Sequence, residues 1–190
     1  MKIAIIREDK IPVDKRVPLT PAQAFEVKEH FNAEVQIQKS DVRVYVEEEY
    51  EHYNFHPKEE VADSDIFLGV KEVPIDKLIP NKTYLFFSHT IKEQHYNRDL
   101  LRAILEKKIR LIDYECLLDT ETRQRIVAFG RWAGIVGAYN TIWTFGKRYN
   151  LFDLRRAKDC FDLADLKSEY AKVKLPAIKI AITGGGRVAK

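Results

Sequence analysis

The feature that most limits how this chain can fold is a succession of short apolar runs separated by stretches of helical spacing. Residues 2–6 and 66–70 are compact apolar runs, residues 34–38 alternate with a period of two, and residues 84–87, 110–114 and 125–129 add three more. Runs this short, bounded by turn-forming residues, read as strands. The segments between them carry helix signals. Thr20 as N-cap, Pro21 at the first helical position and Gln23 three residues after the cap make a capping box that launches a helix to about Phe31. Glu47, Glu48 and Glu49 would repel one another on a strand, so residues 46–52 are expected as a short helix. Leu100, Leu101, Ile104 and Leu105 place an amphipathic helix over residues 92–107. Residues 132–149 form another, with Ala133, Gly134, Gly137 and Ala138 suited to close packing. Strands alternating with helices predict an α/β, Rossmann-like (flavodoxin-like) fold, a mostly parallel sheet with helices on both faces.

A last apolar run, residues 178–182, leads into Gly184-Gly185-Gly186-Arg187-Val188-Ala189. A strand followed by glycine, any residue, glycine, two residues and a small residue opens a dinucleotide fold, because glycines let the backbone approach a pyrophosphate. Gly184, Gly186 and Ala189 hold those positions, with Arg187 among them. The expected division is a substrate and catalytic domain over residues 1–145, a helical connector over 146–176, and the start of a second, dinucleotide-binding Rossmann domain over 177–190. The helix, returning strand and acidic ribose ligand expected about 20 residues further on would follow Lys190. Dehydrogenase activity is therefore expected of a longer chain and not of this piece alone.

Composition removes several classes of function. The 190 residues are 45% hydrophobic and 32% charged, as in an ordinary globular protein. No apolar stretch approaches the roughly 20 residues of a membrane span, and the opening lacks signal- or transit-peptide character, so a cytoplasmic location is expected. A net charge of +3, from 32 basic and 29 acidic residues, calls for neither nucleic acid nor a lipid surface. Cys116 and Cys160 are far apart, so neither a disulfide framework nor a metal site is expected. Nothing in the chain sets an oligomeric state.

In open α/β sheets ligands bind outside the carboxyl ends of the strands. Lys71 and Glu72 follow one expected strand, Ser88, His89, Thr90 and Lys92 another, and Asp113 and Glu115 a third; Arg7 and Arg16 follow the first. Singly, each has an ordinary structural reading as an edge residue, a cap or an ion-pair partner. Together a lysine, a histidine and a carboxylate at consecutive strand ends suit proton transfer. Lysine, with an ordinary pKa near 10.4, becomes useful when a neighbouring cation or burial lowers it, and histidine titrates near 6.5. Arginines such as Arg16 and Arg125 suit carboxylate substrates through paired hydrogen bonds. With a dinucleotide loop added, the class implied is oxidation or reduction at a carbon bearing nitrogen.

Arg16-Val17-Pro18-Leu19-Thr20-Pro21, Gly69-Val70-Lys71-Glu72-Val73-Pro74, Lys82-Thr83-Tyr84-Leu85-Phe86-Phe87-Ser88-His89-Thr90-Ile91-Lys92, Arg110-Leu111-Ile112-Asp113-Tyr114-Glu115 and Val127-Ala128-Phe129-Gly130-Arg131-Trp132-Ala133-Gly134 resemble the amino-terminal half of the saccharopine dehydrogenase and lysine-ketoglutarate reductase family. That family lies in the wider superfamily of alanine dehydrogenase and nicotinamide nucleotide transhydrogenase. The likeness covers most of residues 1–143 and resumes at 180–190; residues 147–174 match nothing in it. It implies condensation of lysine with 2-oxoglutarate to saccharopine, or the reverse, with NAD or NADP. By position, the resemblance assigns Lys71 and His89 as the acid–base pair, Glu72 and Glu115 as carboxylates that tune it, and Arg16, Lys92 and Arg125 to the substrate carboxylates. Gly184, Gly186, Arg187 and Ala189 would belong to the cofactor loop. An alanine dehydrogenase-like enzyme ranks second, since the histidine segment of those enzymes reads differently, and a noncatalytic amino-acid-binding module of the same fold is the remaining alternative.

Overall fold

A computed structural model of the protein describes residues 1–189. They form two compact units, Met1–Val127 and a second that begins at Ala128.

The first unit is a five-stranded sheet in the order β2-β1-β3-β4-β5, every neighbouring pair parallel. Its strands are β1 (Lys2–Ile5), β2 (Glu34–Ile37), β3 (Ile66–Leu68), β4 (Thr83–Phe86) and β5 (Arg110–Asp113). This is the flavodoxin-like order, whose direction of winding reverses between β1 and β3. Side chains of successive strand residues point to opposite faces. Accordingly Ala4 packs with Phe67, Tyr84, Phe86, Leu100, Ala103 and Ile104 on one side, while Ile5 packs with Ala24, Ile37, Tyr50 and Phe55 on the other. The first side is covered by α3 (Arg98–Glu106) and the second by α1 (Pro21–Phe31) and α2 (Glu47–Glu51). Helix α1 opens as its sequence requires: the Thr20 hydroxyl accepts from the Gln23 N–H, and the Gln23 side chain accepts from the Thr20 N–H.

Two expectations are corrected here. Residues 125–129 form no strand; Arg125 makes only one isolated antiparallel bridge, to Leu118, and the chain enters a helix at Gly130. A strand exists only through its neighbour, and among the described residues no ladder continues beyond β5. The helix expected over 92–107 starts only at Arg98, because Glu93 adopts a left-handed backbone (φ 52°) that breaks helical continuity after a single 3₁₀ turn at Thr90–Lys92.

The second unit is built on α4 (Gly130–Tyr149), a helix two residues longer at its start than expected, followed by the short α5 (Leu163–Ser168). Tyr139, Leu154 and Leu166 form its buried centre. The Tyr139 hydroxyl donates to the Arg155 carbonyl at 2.7 Å, and the Trp143 indole N–H donates to the Leu154 carbonyl at 2.9 Å. The segment expected to be mostly helical is largely irregular, with two 3₁₀ turns besides α5. Its charged side chains serve local pairs: Arg155 bonds Asp165 and Glu169, and Lys172 bonds Glu169. Residues 178–182 form no strand, having no ladder partner among the described residues.

Candidate active site

The carboxyl ends of β1, β3, β4 and β5 bring together side chains that lie far apart in the chain. At the end of β3 the chain turns through Gly69 and presents Lys71; at the end of β4 it presents His89. Lys71 Nζ lies 3.4 Å from His89 Nε2. The other ring nitrogen, Nδ1, faces Glu115 Oε2 at 3.9 Å, and both of these buried atoms lack a hydrogen-bond partner. With its proton on Nδ1, toward the carboxylate, the ring leaves Nε2 able to accept from the Lys71 ammonium.

Glu115 is buried, and its other oxygen is crowded with cations. Oε1 accepts from Arg125 Nη1 at 3.1 Å and pairs with Lys92 Nζ at 3.3 Å. Lys92 and Arg125 are themselves about half exposed, so the carboxylate anchors two cations that reach into solvent. Arg16 is bound in a two-point grip by Asp14, with Nε to Oδ1 at 2.9 Å and Nη2 to Oδ2 at 2.5 Å. That grip holds the Asp14 carboxyl below the usual range and the Arg16 guanidinium above its own, and the Asp14 carboxyl also feels the charge of Lys71. Glu72, by contrast, is paired with Lys10.

The His89 backbone is itself unusual. Its φ of 55° is left-handed, a conformation that costs a non-glycine residue about 1–2 kcal/mol and needs outside support. Support comes from both sides. The preceding Ser88, fully buried, donates its hydroxyl to Asp113 Oδ2 at 2.5 Å and its N–H to the same oxygen at 3.2 Å. The His89 carbonyl accepts from the buried Asn97 side-chain amide at 3.2 Å. Asp113 also accepts the Glu115 N–H through Oδ1 at 2.8 Å, so one carboxylate sets the approach of both the histidine and its facing glutamate.

Asp113, one of the strand-end candidates, thus positions its neighbours. One residue outside the expected set also belongs to this arrangement: Glu8 follows β1, is buried, and accepts from the Val70 N–H at 2.6 Å and the Lys71 N–H at 2.8 Å. Burial pushes its carboxyl up, against the pull of the two backbone donors. Burial also raises the nearby Tyr114 hydroxyl, with the charge of Glu8 adding to the effect. The rule that selects Lys71, a polar residue just after an apolar strand, selects Glu8 equally well; its neighbour Arg7 is instead taken up by Asp9 and Glu59. A cavity of about 280 Å³ lies beside Glu8 and Lys71, walled also by Ile6, Phe67, Glu72 and Tyr84. His89 does not line it, so Lys71 stands between this cavity and the imidazole.

The glycine segment lies in the second unit. Gly184 has φ +96°, and the Ala189 N–H donates to the Gly186 carbonyl at 3.1 Å, closing a turn that includes Arg187. A Cβ at Gly185 or Gly186 would meet nothing within 4 Å, so that backbone is open to an approaching phosphate. The turn fits that half of a dinucleotide site. The helix N-terminus that would complete it is absent among the described residues. The same segment packs on α4: a Cβ on Gly130 would stand 2.7 Å from Arg187 Cβ, and one on Gly134 would run into the Val188 carbonyl.

Residues 4–136 match the family described as alanine dehydrogenase/PNT, N-terminal domain. The mitochondrial alpha-aminoadipic semialdehyde synthase of Bos taurus is 41% identical over 146 residues, a stretch that covers 77% of this chain and 16% of that protein. The saccharopine dehydrogenase (NAD⁺, L-lysine-forming) of Yarrowia lipolytica is 28% identical over 138 residues, covering 70% of this chain and 37% of that protein. Among solved structures, an L-alanine dehydrogenase superposes with a TM-score of 0.61 at 16% identity, over 80% of this chain and 43% of that one, a likeness of fold. The chain belongs to the alanine dehydrogenase/PNT N-terminal domain family, and it spans a minor part of the length of these relatives.

Proposed function

We propose that this chain supplies the substrate-side, acid–base part of an NAD(P)-dependent oxidoreductase that joins lysine and 2-oxoglutarate to give saccharopine, or runs the reverse. The observation that carries the reading is the 3.4 Å contact between Lys71 Nζ and His89 Nε2, with Glu115 behind the ring. The names of the relatives, a semialdehyde synthase and a lysine-forming saccharopine dehydrogenase, support the same substrates. A nicotinamide dinucleotide, when bound, supplies the hydride; Gly184, Gly186, Arg187 and Ala189 are the residues of this chain offered to it.

The chain's own residues handle protons and charge. The ε-amine of lysine adds to the 2-oxo carbon, and the amine nitrogen must lose a proton as its bond to carbon forms. Lys71, neutral once its own proton has passed to the accepting His89 Nε2, takes that proton. The resulting carbinolamine loses its hydroxyl as water only when the oxygen is protonated, and His89 provides that proton from Nε2. Glu115 opposes the positive charge that His89 acquires during the cycle, while Lys92 and Arg125 hold the Glu115 carboxylate in place. Arg16, oriented by Asp14, is proposed to receive a substrate carboxylate, as a planar two-pronged donor does best. Glu72, paired with Lys10, is proposed to act on Lys71 only through its field.

The test is turnover. Full-length protein containing this chain is assayed for NAD(P)H oxidation with lysine plus 2-oxoglutarate and, separately, with pyruvate plus ammonia. Turnover with the first pair supports the proposal; turnover with the second alone assigns an alanine dehydrogenase-type reaction instead.

A further inference from the structure

We infer that Glu8 is a positioning residue, which sets the placement of Lys71 from the far side of the sheet's reversal point and thereby controls the proton-transfer step. The inference rests on the acid–base reading of Lys71 given above.

Glu8 and Lys71 come from the ends of β1 and β3, the two strands between which the winding of the sheet reverses. At such a point the chains leaving the two strands diverge, and beyond the bond from the Ile6 N–H to the Leu68 carbonyl no ladder bond joins them. The Glu8 carboxylate closes that gap. Its two oxygens take two successive N–H groups, Val70 at 2.6 Å and Lys71 at 2.8 Å. Both distances are at the short end for N–H donors, as expected when the acceptor is ionised. Neither N–H belongs to the β3 ladder, so without Glu8 both would need another acceptor in a buried place.

The surroundings are arranged for this grip. Gly69 precedes the two donors, and a Cβ there would stand 3.2 Å from Ile6 Cδ1 and 3.4 Å from Glu8 Oε1, so the residue type keeps the approach open. The charged and titratable groups around the carboxylate are Asp14 and Arg16 from the loop after β1, Lys71 from the end of β3 and Tyr114 from the end of β5. The carboxylate thus holds the backbone from which the Lys71 side chain reaches His89.

Glutamine at this position tests the idea sharply, because it keeps the shape and removes one acceptor. Its amide nitrogen would face a backbone N–H, donor against donor, so one of the two bonds must break. Aspartate keeps both acceptors on a shorter stem. The first measurement needs no catalysis. Gly69-Val70 is the only Gly-Val step in the chain, so carbonyl-¹³C glycine with ¹⁵N valine isolates the Val70 amide in an NMR spectrum. A strongly downfield Val70 proton that moves upfield in Glu8→Gln is expected; a Val70 amide unchanged by Glu8→Gln overturns the inference. The second measurement uses the full-length enzyme. Glu8→Gln is expected to lower kcat about 10- to 100-fold, the scale of a misplaced catalytic group, with KM for both substrates within about twofold and with Glu8→Asp intermediate. Unchanged kcat in Glu8→Gln overturns the inference, as does a loss confined to KM. If Glu8→Gln fails to fold, Glu8→Asp carries both measurements. If wild-type enzyme turns over pyruvate and ammonia but not lysine and 2-oxoglutarate, the substrate reading fails while the same variants, run with that pair, still decide the role of Glu8.

Discussion

Ser88 gives both its hydroxyl and its N–H to a single oxygen of Asp113, tying the end of β4 to the end of β5 directly before the left-handed His89. The other Asp113 oxygen holds the Glu115 N–H. The placement of His89 against Glu115 therefore depends on a carboxylate that touches neither side chain.

Replacing Asp113 with asparagine should loosen both ends at once. One carboxylate oxygen becomes an N–H₂ donor facing another donor, which costs about 1–3 kcal/mol when buried. Urea unfolding of Asp113→Asn is expected to show an unfolding free energy lowered by that amount, read as a lower midpoint at unchanged slope, with kcat also reduced. A variant as stable and as active as wild type would mean that the Ser88–Asp113 tie is dispensable.

The second unit should have its own acid limit. Glu169 is buried, bonded by the Arg155 N–H and by the Lys172 and Arg155 side chains, and its carboxyl is held at about 2. A carboxyl lowered on folding stabilises the folded state at pH above its unfolded value, near 4.3, and loses that contribution as pH falls toward the folded value. Acid titration followed by the fluorescence of Trp132 and Trp143, both in this unit, is expected to show stability falling between about pH 4.5 and pH 2. Glu169→Gln should be less stable at neutral pH and show a flatter decline over that window.

Gly134 should not tolerate a methyl group. The added Cβ would run into the Val188 carbonyl, a backbone atom that no rotamer change can move. Gly134→Ala is expected to shift the NMR resonances of Val188 and Ala189 and to destabilise the second unit by roughly 1–3 kcal/mol. Gly137→Ala, where a Cβ meets nothing within 4 Å, is the control and should be neutral or slightly stabilising through helix propensity.

Phe67 lies under the sheet with its ring stacked on Tyr84, centroids 4.9 Å apart, and is 2% exposed. Phe67→Ala should cost about 3–5 kcal/mol by leaving a cavity between β3 and β4. Denaturant unfolding measures this directly, and a loss under 1 kcal/mol would place Phe67 outside the packed core.

The strands of the sheet were legible because β2 alternates with a period of two and the others are short apolar runs, so local pattern and tertiary pairing agree. Residues 125–129 are as apolar as those runs and form no strand, since pairing depends on a partner that no local pattern reveals. The delayed start of α3 has a similar origin: the spacing of Leu100, Leu101, Ile104 and Leu105 marks the buried face, whereas the left-handed turn at Glu93 leaves no periodic signature. At the site, Lys71, His89 and Glu115 were legible from their positions after strands, and Lys92 and Arg125 indeed meet on Glu115. Asp113 was legible as a strand-end carboxylate, though not its tie to Ser88; Glu8 escaped because its partners are backbone N–H groups, and a backbone donor looks alike at every residue.

The central claim is that Lys71 and His89 work as a proton-transferring pair. The most direct measurement is kcat/KM for NAD(P)H oxidation with lysine and 2-oxoglutarate in full-length wild type, Lys71→Met and His89→Gln. Loss of about 10²- to 10⁴-fold in each variant, with the fold retained, is the expected result for removal of a general acid or base. Full activity in either variant would contradict the account.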